Sequence, residues 1–170
     1  MKTVLFRFIS GNRNLVLKAS DGSRLIYEAT DTFKAGIDPG FVKQGINKPG
    51  IATPEILVQV REIFSDGNFM DIFQSLQGTW EQKWLSQNQV IDFCETFPNW
   101  LGQEGFGTFA LIKKDENKPV NENKPEDNLA VVYVCVDSNG QRVDIDILED
   151  VKVWDGEYRH RHRVMSPQPK

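Results

Sequence analysis

The sequence predicts an α+β fold: an N-terminal antiparallel β-meander, a helical middle of about three helices, and a C-terminal antiparallel β-sheet of three to four strands. Three observations carry that expectation. Parts of the first third alternate apolar and polar side chains. The middle places apolar residues at helical spacing behind helix-start signals. The last third returns to strand-like runs joined by turn dipeptides. Strands and helices are grouped rather than interleaved, which argues against a parallel, doubly wound sheet.

The elements follow in order. Val4 to Ile9 sets Val4, Phe6 and Phe8 on one strand face, and Leu15 to Ala19 does the same with Leu15, Leu17 and Ala19. Ser10 to Asn14 forms the turn between them. Asp21-Gly22 is a two-residue hairpin signal, because a type I′ turn needs positive φ at its central residues; Arg24 to Thr30 is then the third strand. Residues 34–52 are a Gly/Pro-rich connection, a kind of loop that is usually functional or mobile.

Thr53-Pro54-Glu55 reads as a helix start, with a capping hydroxyl, a proline where no N–H is needed, and a carboxylate at the positive end of the dipole. Ile56, Val60, Ile63 and Phe64 continue it at helical spacing. Phe69, Ile72, Phe73 and Leu76 make a second, shorter helix. Ser86-Gln87-Asn88-Gln89 is a capping box that opens a third over Val90, Ile91, Cys94 and Phe97, and Pro98 ends it.

Gly107 to Lys114 and Leu129 to Val136 are strands, the latter apolar on both faces and so central. Asn139-Gly140 turns into Gln141 to Leu148, with Val143, Ile145 and Ile147 inward and Asp144 and Asp146 outward. Asp155-Gly156 suggests a last hairpin that joins Val151–Trp154 to Tyr158–Val164.

These elements make one compact domain, or two lobes covering 1–50 and 53–164. Residues 115–128 carry Glu-Asn-Lys-Pro twice and read as a solvated, mobile hairpin loop whose deletion leaves folding intact. Residues 165–170 read as a tail.

Composition excludes whole classes. Apolar residues are 39% and charged residues 26% of the 170, which fits neither a membrane-spanning protein nor a fully disordered chain. The net charge of −4 argues against a whole-protein basic field for nucleic acid. Charge is nonetheless uneven: residues 1–50 hold eight Lys/Arg against four Asp/Glu, whereas residues 115–150 hold three against ten. The N-terminus lacks a secretory h-region, and the two cysteines, Cys94 and Cys135, read as buried hydrophobes. The expected compartment is the cytoplasm.

Three places could carry function. Trp80 and Trp84 lie four apart in a polar segment and share one side of a helical turn. They are either core or the anchors of a protein interface. Arg159, Arg161 and Arg163 share one strand face and could track phosphates, as nucleic acid presents them, unless they pair with Asp144, Asp146 or Asp150. His160 and His162 share the other face and could hold a metal with Glu149, which opposes His162 if Asp155-Gly156 closes a two-residue hairpin. No nucleophile elbow, phosphate loop or Cys-x-x-Cys is present, and no cofactor is expected. The favoured function is therefore a small, non-catalytic interaction protein that binds a protein partner or self-associates. The alternative is a metal-, phosphate- or nucleic-acid-binding protein using the C-terminal Arg/His strand.

Overall fold

The computed structural model describes residues 2–11, 13–156 and 162–169. In chain order its strands and helices are β1 (Phe6–Phe8), β2 (Leu15–Leu17), β3 (Gly36–Ile37), α1 (Gly40–Lys43), β4 (Ile56–Ile63), α2 (Phe69–Gln74), α3 (Gln87–Thr96), β5 (Thr108–Lys113), β6 (Leu129–Asp137), β7 (Gly140–Ile147) and β8 (Arg163–Pro167). All eight strands among the described residues belong to one mixed sheet, in the order β1-β4-β8-β5-β6-β7-β3, with β2 also paired to β4. The β3–β7 and β5–β8 pairs are parallel; the other pairs are antiparallel.

The sheet is covered on both faces. Every residue of β5 is buried, and successive side chains feed opposite cores. Ala110 and Ile112 join Val132, Val134 and Met165 beneath Val90, Ile91, Phe93 and Cys94 of α3. Phe109 and Leu111 join Ile63, Val131 and Val164 beneath Phe69, Ile72 and Phe73 of α2. A strand buried on both sides needs continuous apolar sequence, which is what Phe109–Ile112 and Leu129–Val134 supply.

This architecture overturns the expected one. The N-terminal strands do not form a meander: β1 and β2 both lie along β4 and do not pair with each other. Arg24 to Thr30 is not a strand. It contains a 3-10 turn at Ile26–Glu28, whose Ile26 N–H donates to the Gln87 carboxamide of α3 at 3.1 Å. Gly22 does turn, with φ +78°, but its role is close approach. Gly50 N–H donates to its carbonyl at 2.9 Å, and a Cβ on Gly22 would collide with the Ile51 carbonyl.

The expected first helix is β4. Ile56, Val60 and Ile63 fit a helical period, but Ile56, Val58 and Val60 also fit a period of two. Pairing on both edges, with β1 and β2 on one side and β8 on the other, decides for the strand. Instead of two separate strand groups there is a single sheet, because β8 inserts between β4 and β5.

The other helix signals are met. Asn68 and Asp71 form a capping box on α2, and Ser86 and Gln89 form one on α3, with Ser86 N–H to the Gln89 carboxamide at 2.9 Å. Pro98 lies just past the end of α3 and opens a 3-10 turn. The β6–β7 hairpin closes where Asp137 opposes Gly140. Beyond the short β3 pairing, the outer edge of β7 is blunted by carboxylates: Ile145 N–H donates to Asp38 at 3.3 Å and Ile147 N–H to Asp146 at 2.9 Å.

Two loop expectations also change. Residues 165–170 are not simply a tail, since Met165, Ser166 and Pro167 are part of β8 and Gln168 N–H donates to the Leu57 carbonyl at 2.8 Å. Residues 115–128 are exposed over much of their length but tied down at Glu116 and Asn128. Glu116 is buried, and its carboxylate accepts from Ile51 N–H at 2.9 Å and from Gln87 N–H at 3.1 Å. Asn128 ties the loop's own carbonyls together, donating to Asp115 and Lys118.

Candidate partner-binding groove

The segment between α2 and α3 is shaped by its caps. Gly78 has φ +92°, and the Trp80–Gln82 turn that follows is closed by Thr79 N–H donating to the Gln82 carboxamide at 3.0 Å. Glu122, from the anchored loop, accepts from the Trp80 and Glu81 amides at 2.9 and 3.0 Å. The chain then runs alongside β5, with Leu85 N–H donating to the Leu111 carbonyl at 2.8 Å.

This path separates the two tryptophans. Trp80 is 7% exposed and belongs to the core under α2, with the Lys83 ammonium 4.7 Å from its ring. Trp84 is half-buried, and the Lys113 ammonium lies 4.4 Å from its ring centroid. Lys113 is itself buried and pairs with Glu81 at 2.6 Å. Glu81 also accepts from Trp84 Nε1 at 3.3 Å and from Val120 N–H at 2.7 Å. Burial opposes ionisation of Glu81, but Lys113 and these donors outweigh it and hold its carboxyl below the usual carboxylate range.

Trp84 faces a groove of about 650 Å³. Its walls include Pro54 and Leu57 from the start of β4, Glu81, and Pro167 and Pro169 from the end of β8. The apolar wall comes from three distant stretches of chain. Among the described residues no Lys or Arg lines it; Glu55 and Glu81 do, and Glu81 is paired with Lys113.

The remaining sequence candidates fall elsewhere. Arg159, His160 and Arg161 lie outside the described residues. Arg163 opens β8, and its guanidinium donates to the Trp100 and Leu101 carbonyls at 2.8 and 2.9 Å, so it closes the turn after α3. The hairpin expected to lead to His162 runs through residues 157–161, outside the described residues, and among the described residues no pair joins Glu149 to His162. Trp154 pairs with Gly67, and His162 sits between β4 and β5, where Ile63 N–H donates to its carbonyl at 2.9 Å and Gly107 N–H donates to its Nδ1 at 3.0 Å. Its ring packs against Phe106, Phe109 and Trp154. Burial lowers the His162 pKa. Glu149 is exposed beyond β7. Among the described residues no group of three His, Cys, Asp or Glu is placed to hold a metal ion. Cys94 is fully buried, and desolvation pushes its thiol far above the ordinary range, so it cannot supply a thiolate.

Sequence reasoning missed the proline walls. Pro54 carries a helix-start signal when read locally, and Pro167 and Pro169 stand in what read as a tail. No known family matches the chain, and neither a curated protein nor a solved structure matches it.

Proposed function

We propose that this protein is a non-catalytic interaction module that holds an apolar, basic segment of a protein partner in the Trp84 groove. The observation that carries the reading is a half-buried tryptophan, held in place by Lys113 and Glu81, facing a proline-walled groove of about 650 Å³. Aromatic anchors of this kind supply large contact area at low entropic cost and dominate interface energetics. Glu55 lines the groove while Glu81 is already paired with Lys113, so a Lys or Arg beside the segment's apolar residues would be met by Glu55.

Selection from a displayed random-peptide library tests the reading. The full chain should enrich apolar peptides bearing Lys or Arg. Trp84→Ala should abolish their binding, and Glu55→Lys should weaken it, while both variants unfold cooperatively. Failure to enrich any peptide, or binding that ignores Trp84→Ala, refutes the reading. A concentration-dependent dimer in sedimentation equilibrium, lost in Trp84→Ala, would assign the groove to a second copy of the chain instead.

A further inference from the structure

Arg61 lies in the middle of β4, opposite Phe8 on one side and Val164 on the other. It is 5% exposed. Among the described residues its guanidinium has no carboxylate partner. It donates to Ser166 Oγ at 3.0 Å and to Gln59 Oε1 at 2.6 Å, and the Phe8 ring packs against it at 4.3 Å. Both hydrogen-bond partners are neutral, and burial alone lowers its pKa. A buried cation without a counter-charge is costly, and a fold that needed only packing here would do as well with an apolar side chain.

The surroundings show what the charge faces. Because Arg61 engages the oxygen of the Gln59 carboxamide, the Gln59 amino group is turned away as a donor. Phe8 and Gln59 line a cleft of about 470 Å³, together with Arg13, Asn14 and Gln168. Among the described residues no Asp or Glu lines this cleft. Arg13 and the carboxamides of Asn14, Gln59 and Gln168 therefore line one space, with the Arg61 guanidinium behind Gln59 rather than in its wall.

We propose that this cleft is an oxyanion-binding site, for a carboxylate or phosphate group, with Arg61 as its buried charge acting through Gln59 and Arg13 as its exposed one. A bound oxyanion would accept from the amide donors and from the Arg13 guanidinium, which lies over the Trp100 ring, and it would face the Arg61 charge through the Gln59 carboxamide. Gln168 also lines the Trp84 groove, so the two sites adjoin but use different chemistry.

Thermal unfolding of the full chain tests this, in sodium phosphate, sodium acetate and sodium chloride at equal ionic strength. The wild-type protein should melt higher in phosphate or acetate than in chloride, and the anion that raises it identifies phosphate or carboxylate as the ligand group. Arg61→Met should lose that increment entirely while melting in chloride no lower than wild type. Arg13→Ala, on an exposed loop, should lose most of the increment with an unchanged melting point in chloride. The proposal is overturned if wild type shows no increment, or if both variants retain it as a general salt effect. It is also overturned if Arg61→Met is destabilised while Arg13→Ala keeps the full increment, which would make Arg61 a packing residue.

Discussion

Replacing Glu116 by alanine should destabilise this fold far more than a change in a surface loop would. Its carboxylate joins three segments: its own loop, the Gly/Pro-rich connection at Ile51, and the first turn of α3 at Gln87. Gly50 is in van der Waals reach of it, since a Cβ there would collide with the carboxylate. Buried hydrogen bonds to a charged acceptor contribute about 1.5–3 kcal/mol each, and truncation leaves two amides without a partner. Taking the lower end, because water can enter a vacated polar site, gives about 3 kcal/mol. For a domain of this size that corresponds to a fall in Tm of about 6–12 °C. Glu116→Gln keeps one acceptor oxygen and should lose roughly half as much. Urea or thermal unfolding of both variants, followed by circular dichroism, provides the assay. If both fall within about 0.5 kcal/mol of wild type, as unremarkable surface substitutions do, the anchoring contacts carry no stability and the loop is dispensable after all.

Trp80→Ala removes a core ring and should cost about 3–5 kcal/mol, whereas Trp84→Ala should stay well below that; equal losses in denaturant melts would contradict the division between them. His162 has its folded pKa lowered by burial, so its contribution is present above the unfolded histidine value and is lost as pH falls below it. Stability should therefore decline as pH drops from about 6.5, and His162→Gln should flatten that decline in pH-dependent melts; an unchanged slope refutes the assignment. Arg24 pairs with Asp92 and Glu95 on α3, and its hydrogen bond holds the Glu95 carboxyl below the usual range despite partial burial. The contribution is present above the unfolded carboxylate pKa and lost as pH falls through the folded one. Arg24 and Glu95 are 41% and 42% exposed, so screening limits it to about 1 kcal/mol at most. Arg24→Ala should lose that much at neutral pH and nothing in acid; a loss equal at both pH values would mean packing rather than charge.

Signals confined to a few neighbouring residues were legible in the sequence. The Ser86–Gln89 box depends on side chains within reach of their own backbone and appears as read, whereas the β6–β7 turn sits one residue earlier than Asn139-Gly140, with Ser138 and Asn139 in the loop and Gly140 paired to Asp137. The apolar run Leu129–Val134 announces a strand covered on both faces, which is its place in the sheet. Residues 53–64 were ambiguous because Thr-Pro-Glu is a good helix start and the apolar spacing fits both periods. Contacts with residues 6–8, 15–17 and 163–167, distant in sequence, settle the matter. The groove was legible only through Trp84. Its proline walls come together when β8 inserts beside β4, and no local pattern encodes that. Arg61 likewise reads as an ordinary arginine of the expected helix until its burial in β4 without a carboxylate is seen.

The central claim is that Trp84, and not Trp80 or the Arg/His segment at 159–163, anchors the partner. The chain has four tryptophans, hence four indole N–H resonances, and Trp84→Phe assigns the relevant one. Titrating a library-selected peptide into ¹⁵N-labelled protein should move the Trp84 indole signal and the backbone amides of Leu57 and Gln168, while the buried Trp80 and Trp154 indoles stay in place. Shifts centred instead on His162 and Arg163, with the Trp84 indole unmoved, would contradict the account.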